Sequence, residues 1–343
     1  MIRPHRPTFR LWTALAIGAL IVLPGCNGLQ GRSGRVTGTT VGSGPQIVSP
    51  VQRQHLDDAR NALDDQEYEL ALALFRDVLA ENPTVTDAYI GIGDVHMATE
   101  DFEKAEPAFR RAARLEPRNY LAQFRHGTSL QMLERFVEAI RAYLRALEVD
   151  PDSSDANLSV ATCYLRLEQP GNAQSYAERA VQLEPDNGAA RVNLGAVYEQ
   201  VGENAKAIDE YVTALELLDN TPPVMLNLIN VLAREKRYQE AVNTALTLIR
   251  IDPTANAYER LGWAYFRLGR YDKSIQAYRD ATDLDPTHWP SHNGIGVNAL
   301  NAFLLSNRQD MGAKEEAGRS FRKSLQINRD QDRVIQIMLN YGL

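Results

Sequence analysis

Residues 255–286 read ANAYERLGWAYFRLGRYDKSIQAYRDATDLDP, and this stretch divides into two helices. Tyr258, Leu261, Tyr265 and Leu268 recur at i, i+3, i+7 and i+10, the spacing of one helical face. Gly269 and Arg270 interrupt the pattern, and Tyr271, Ile275, Tyr278 and Ala281 resume it. Asp285-Pro286 closes the second stretch, because proline disfavours helical geometry in the residue before it. The segment reads as a helical hairpin whose two helices are each too short to be stable alone.

The same hairpin recurs along the chain. Gly93, Gly127, Gly195, Gly262 and Gly296 differ by 34, 68, 67 and 34. Pro83, Pro117, Pro151, Pro185, Pro253 and Pro286 differ by 34, 34, 34, 68 and 33. Both series follow one period near 34, with a single-residue deletion between Pro253 and Pro286. A fixed period of this length means a stack of like units, each burying its apolar face against its neighbours. Eight units begin near residues 52, 86, 120, 154, 188, 222, 255 and 289.

Within the units, Leu194-Gly195-Tyr198 with Ala207-Tyr211-Ala214 form one pattern, and Ile92-Gly93 with Ala105-Phe109-Ala112 and Pro117 repeat it. Leu261-Gly262-Tyr265 with Tyr278-Ala281-Pro286 do so again, with Ser274 in place of one Ala. From Gln52 to Gln331 the chain resembles the tetratricopeptide repeat, a helix–turn–helix unit of 34 residues. The unit from Pro222 departs furthest, with Ile229 in the glycine slot and Ala245 in the aromatic one, and Asp219 stands where a Pro is expected. The resemblance implies an all-α protein: an α-solenoid of about eight hairpins forming a right-handed superhelix, with a C-terminal capping helix. It also implies that the first helices line a concave groove that receives an extended or helical segment of a protein partner.

The last unit carries about nine extra residues between Asn298 and Ala313, including Phe303-Leu304-Leu305, which separate its two helices. A further helix is expected from Asp332 to Leu343, with Val334, Ile337, Met338 and Tyr341 on one stripe, as in the capping helix of such arrays. Ile335 and Leu339 widen its apolar surface, so a homodimer through this end is an expectation beside a monomer.

At the other end, Arg3, Arg6 and Arg10 precede an apolar run from Leu11 to Leu23. Thirteen residues make a helix of ~20 Å, short of a bilayer core of about 30 Å, so the run reads as a secretory signal. Leu23-Pro24-Gly25-Cys26 resembles the bacterial lipobox, which implies cleavage after residue 25 and lipid on Cys26; the alternative is an ordinary signal peptide with an incidental cysteine. A chain beginning at Cys26 has 318 residues and a net charge of −10. Residues 26–50 hold six glycines among Ser and Thr and no acidic residue, a composition that reads as a flexible tether reaching ~27 Å. The expected organisation is therefore a signal peptide over 1–25, a tether over 26–50, the array over 51–331 and the capping helix over 332–343. In some bacteria an Asp after the lipid-bearing Cys retains a lipoprotein at the inner membrane. Asn27 here implies a cell-envelope protein on the periplasmic side of the outer membrane.

The 343 residues carry 44 acidic against 37 basic side chains, a balance that disfavours nucleic-acid binding. Two cysteines exclude a disulfide scaffold, and Cys163 reads as a small buried apolar residue. There is no Gly-rich phosphate loop, paired-Cys metal motif or nucleophile elbow. His288 and His292 stand four apart with Pro290 between them and read as surface-loop residues, while His96 and His126 read as structural histidines. Arg110, Arg114 and Arg118 form one stripe that reads as a solvated outer face, with Glu106 placed to pair with Arg110. No catalytic, metal or cofactor site is expected.

The candidate residues lie in the groove. Arg166, Arg234 and Arg267 occupy equivalent slots of units four, six and seven, and Asn193, Asn227 and Arg260 share another; Asn230 joins them. Asn can both donate to and accept from a peptide backbone, and Arg offers a fork for carboxylates. The set resembles in part the asparagine-lined groove of sugar-transferase arrays. It also resembles in part the carboxylate clamp of chaperone-binding arrays, whose lysines are absent. The expected function is a non-catalytic scaffold for protein partners, anchored by the lipid on Cys26. The rivals are an assembly chaperone for a pilus, secretion or cell-wall subunit, and an enzyme of unrecognised type.

Overall fold

The computed structural model describes residues 48–343, and among these it contains 17 α-helices and no strand. The helices pair in chain order. The first four hairpins are α1 (Pro50–Asp64) with α2 (Tyr68–Glu81), α3 (Thr86–Ala98) with α4 (Phe102–Leu115), α5 (Tyr120–Met132) with α6 (Phe136–Val149), and α7 (Ser154–Arg166) with α8 (Pro170–Leu183). The next three are α9 (Gly188–Val201) with α10 (Asn204–Leu217), α11 (Pro222–Arg234) with α12 (Tyr238–Ile251), and α13 (Ala255–Arg267) with α14 (Tyr271–Leu284). The eighth pairs α15 (Trp289–Leu305) with α16 (Met311–Ile327), and α17 (Asp332–Tyr341) follows alone.

Local chemistry sets the ends of these helices. Side chains of Ser49, Asn119, Ser153, Asn187, Thr254 and Asp310 accept a backbone N–H of the helix that each precedes. Ser49 and Gln52 bond reciprocally in a capping box. In the first seven hairpins the turn passes through one left-handed residue: Gln66, Glu100, Glu134, Glu168, Gly202, Lys236 and Gly269. Only two of the seven are glycine, so five hairpins hold an L side chain where its Cβ is disfavoured.

Aromatic side chains on the second helices bind the stack together. Phe75, Phe109, Tyr143 and Tyr211 are almost fully buried. Phe75 lies against Gly91 of the next hairpin, and Phe109 against Gly93 of its own. The pair Gly294 and Gly296 is wedged in the same way between Tyr278 and Phe321. These two glycine pairs are therefore packing sites on helices, where two rings reach the backbone from opposite sides.

First helices also approach the first helices of neighbouring hairpins, as in α1–α3, α3–α5, α5–α7, α7–α9, α11–α13 and α13–α15, whereas among the described residues no two second helices approach to the same extent. The first helices consequently form the inner layer of the stack. The α9–α11 pair is absent from this series. Its connecting link carries two consecutive left-handed residues, Asp219 (φ 50°) and Asn220 (φ 58°), which no other link between hairpins does among the described residues.

Two expectations need correction. The tether does not extend to residue 50: Ser49 caps α1 and Pro50 is its first residue, where a fixed φ suits the first turn. The extra residues of the last unit do not form a long loop. They lengthen α15 and α16 to 17 residues each, which keeps Phe303 buried in the hairpin core and leaves Leu305 66% exposed. The expected pair of Glu106 with Arg110 is present at 3.7 Å, and Glu106 is itself buried, with its carboxylate 3.2 Å from His126 Nε2. Residues 1–25, Cys26 and the rest of the tether through residue 47 lie outside the described residues.

At the C-terminus, Val334, Ile337, Met338 and Tyr341 of α17 pack on Phe321 and the last hairpin, while Leu339 stays exposed. Gln331 fastens the helix by donating to Ser324 and Asn328 and accepting from Asn293.

Candidate partner-binding groove

The inner layer places all seven groove candidates on first helices, and most of them are held by residues of the preceding hairpin. Asn193 donates from Nδ2 to Thr162 Oγ1 at 2.8 Å, and its Oδ1 is buried without a hydrogen-bond partner. Asn227 lies near the Tyr211 hydroxyl, which itself donates to Glu199 at 2.9 Å. Asn230 is half-buried on the same helix.

Arg234 pairs with Glu199 at 3.0 Å. Burial pushes the Glu199 carboxyl above its usual range, against the opposing pull of Arg234 and Tyr211. Arg166 lies 3.4 Å from Glu134 and 5.2 Å above the Phe136 ring. Arg267 repeats that arrangement without the carboxylate: its guanidinium donates to the Tyr238 hydroxyl at 2.6 Å and lies 5.0 Å from the Tyr238 ring and 5.7 Å from Trp263. Tyr238 and Trp263 meet edge-on at 5.7 Å. Arg260 pairs with its neighbour Glu259, itself buried, at 3.5 Å.

The structure therefore disperses the candidates, with Arg166 beside Glu134 and Phe136 and Asn230 half-buried on α11. Asn193 stands with Thr162. Asn227 and Arg234 meet at the Tyr211–Glu199 pair. Arg267 rests on a Tyr238–Trp263 shelf, while Arg260 stays with Glu259. Sequence reasoning missed Trp263, Tyr238, Phe136 and Glu199. Trp263 was within reach, since it shares a slot with Thr162, Ala196 and Asn230 at steps of 34, 34 and 33.

His288, His292 and Cys163 are engaged within the fold. His288 bonds Ser291 and Asn256, and His292 bonds the Pro286 carbonyl. Cys163 is fully buried, and burial pushes its thiol up to about 12. Among the described residues no three His, Cys, Asp or Glu side chains converge as a metal-ligand set, and no helix is long and apolar enough to cross a membrane.

Tetratricopeptide-repeat family models match residues 56–120, 90–156, 124–173, 161–223 and 255–288, more than half of the chain. The chain belongs to the tetratricopeptide-repeat family. The unmatched hairpin between residues 224 and 254 is the one in which Ile229 replaces the packing glycine and Ala245 the aromatic ring. Among curated proteins, small glutamine-rich tetratricopeptide repeat-containing protein 2 of Mycosarcoma maydis is 31% identical over 114 residues, 32% of this chain and 32% of that protein. The chain thus spans about a third of that relative.

Among solved structures, the C-terminal part of a tetratricopeptide-repeat protein from Cytophaga hutchinsonii has a TM-score of 0.58 at 18% identity, covering 70% of this chain and 98% of that one. PilW, a widely conserved type IV pilus biogenesis factor, has a TM-score of 0.53 at 21% identity, covering 60% and 95%. At these identities the likeness is one of fold. Tetratricopeptide-repeat stacks commonly serve as protein–protein interaction scaffolds.

Proposed function

We propose that this chain is a non-catalytic envelope scaffold, moored by lipid on Cys26 at the periplasmic side of the outer membrane, whose inner layer holds an extended or helical segment of a partner. The observation that carries the groove reading is the Asn193 carboxamide, held on the inner layer by its bond to Thr162. With Asn227 and Asn230 it forms a row suited to pairing with a peptide backbone irrespective of its side chains. Arg234, Arg260 and Arg267 add cations along the same layer, favouring a partner that carries carboxylates. The lipobox-like Leu23-Pro24-Gly25-Cys26 supports the anchor, since more than one acyl chain gives stable membrane attachment.

The fold likeness to PilW favours a role in assembling an envelope machine, and on that observation rests the second reading, a chaperone that delivers a subunit. One experiment addresses anchor and groove together. Cys26→Ser is expected to move the protein from the membrane to the soluble fraction. Asn227→Ala with Arg260→Ala is expected to leave it membrane-bound but to release the crosslinked partner. A partner retained at full yield by the double variant contradicts the groove, and membrane retention of Cys26→Ser contradicts the anchor. A partner that stays bound through purification favours the scaffold, and transient capture of unassembled subunits favours the chaperone.

A further inference from the structure

The outer layer carries a feature confined to hairpins five and six. One slot on the second helices is polar and exposed in most hairpins, as Arg76, Arg110, Glu178 and Arg279, and it holds half-buried Leu144 in α6. In α10 and α12 the same slot holds Val212 and Leu246, exposed at 42% and 40%. Leu217 and Ile251, at the ends of these two helices, are exposed as well, a feature they share with Val149 and Leu284 at the ends of α6 and α14. Between α10 and α12 lies a cleft of about 360 Å³ with Leu215, Met225 and Leu228 as its floor and Val212 on its wall.

The cleft coincides with local departures from the repeat. The link above it carries the left-handed pair Asp219 and Asn220, and α12 has Ala245, as α8 has Ala177, where the other six hairpins carry a ring. Its charged lining is of one sign. Glu216 and Asp219 line it, are exposed, and have no ion-pair partner among the described residues. The one guanidinium bonded to a lining residue, Arg250, donates to Thr247 Oγ1 at 3.2 Å and to the Leu246 carbonyl at 3.3 Å.

We propose that this cleft is a second docking site, separate from the inner groove, for an amphipathic helical segment of a protein partner. The segment seats an apolar side chain on Leu215, Met225 and Leu228 and sets a Lys or Arg against Glu216 and Asp219. An exposed apolar patch rimmed by unpaired charge marks an interaction surface, and the rim's sign selects the partner's. The scaffold then engages two partners at once, one on each layer, and this site stands whether or not the inner groove binds peptide.

The test uses the full chain and two fluorescent helical peptides of about 15 residues, with Leu on one face and Lys on the other, or Glu in place of Lys. Fluorescence anisotropy is expected to show the Lys peptide binding about tenfold or more tighter than the Glu peptide. Glu216→Lys with Asp219→Asn, and separately Thr247→Trp to fill the cleft, should each weaken the Lys peptide by about tenfold. Asn227→Ala with Arg260→Ala should leave it unchanged. The substituted cleft positions are exposed or half-buried, and unchanged circular dichroism confirms that their variants fold. Absent binding, equal affinity for both peptides, insensitivity to Thr247→Trp, or loss in the groove variant overturns the proposal. Self-association abolished by Thr247→Trp also overturns it, by assigning the cleft to a second copy of the chain.

Discussion

A Cβ placed on Gly93 would lie 2.5 Å from the Phe109 ring of the same hairpin, closer than two carbon atoms can approach. The glycine is thus the space into which the aromatic of the second helix fits. Gly93→Ala is expected to destabilise the protein by about 1–3 kcal/mol through overpacking. Phe109→Leu should recover part of that loss when combined with it, so that the double variant costs less than the two single changes together. Denaturation midpoints of the four proteins check this. Strict additivity would show that the two positions do not compete for the same space.

The Tyr211 hydroxyl donates to Glu199, which also receives Arg234. Glu199→Ala leaves the hydroxyl of an almost fully buried tyrosine without its acceptor, at a cost of about 1–3 kcal/mol. Tyr211→Phe removes the hydroxyl itself and should cost less, about 0.5–1.5 kcal/mol. Urea unfolding of the two variants gives the order, and a larger loss for Tyr211→Phe contradicts the account.

Most of the fold was legible in the sequence because the hairpin is a local object. Seven expected unit starts, from residue 86 to residue 289, coincide with observed helix starts or fall at them, since turn lengths are fixed by one left-handed residue per hairpin. The last hairpin was read as looped because the period is lost there, although its insertion adds about one turn to each helix and preserves their packing. The second partner of Glu106, His126, was not legible because it lies 20 residues away, on the next hairpin. The groove followed the same division. Slot equivalence singled out the Arg and Asn residues, but what holds them is contributed by neighbouring hairpins, as with Tyr238 for Arg267, 29 residues away.

His126 gives the stability a defined sense with pH. Burial lowers its pKa, outweighing the nearby Glu106 carboxylate, while Arg110 and Arg145 add to the lowering. The unfolded chain therefore takes up the proton first, and stability is expected to fall as pH drops through about 6.5. Burial lowers His96 and His288 in the same direction, whereas desolvation shifts the Asp94, Asp155 and Glu199 carboxyls up, which favours the folded state at lower pH. His126→Gln should flatten part of the decline in melting temperature between pH 7.5 and about 5.5. An unchanged slope would remove His126 as its source.

Cys163 lies in α7 with its thiol fully buried and held up to about 12, so almost no reactive thiolate is present at neutral pH. In a protein carrying Cys26→Ser, a thiol reagent is expected to label Cys163 only as the surrounding hairpins open, and at once in denaturant. Rapid labelling of the native protein would show that the centre of the stack is open to solvent.

A photo-crosslinking residue placed at Asn230 in the native cell tests the scaffold reading most directly, with the same residue at Arg114 on the outer layer as its comparison. The account predicts a discrete adduct with a protein partner from position 230, diminished by Asn227→Ala with Arg260→Ala, and none of that mass from position 114. Absence of any protein adduct from position 230, or an equal yield of the same adduct from both positions, would contradict it.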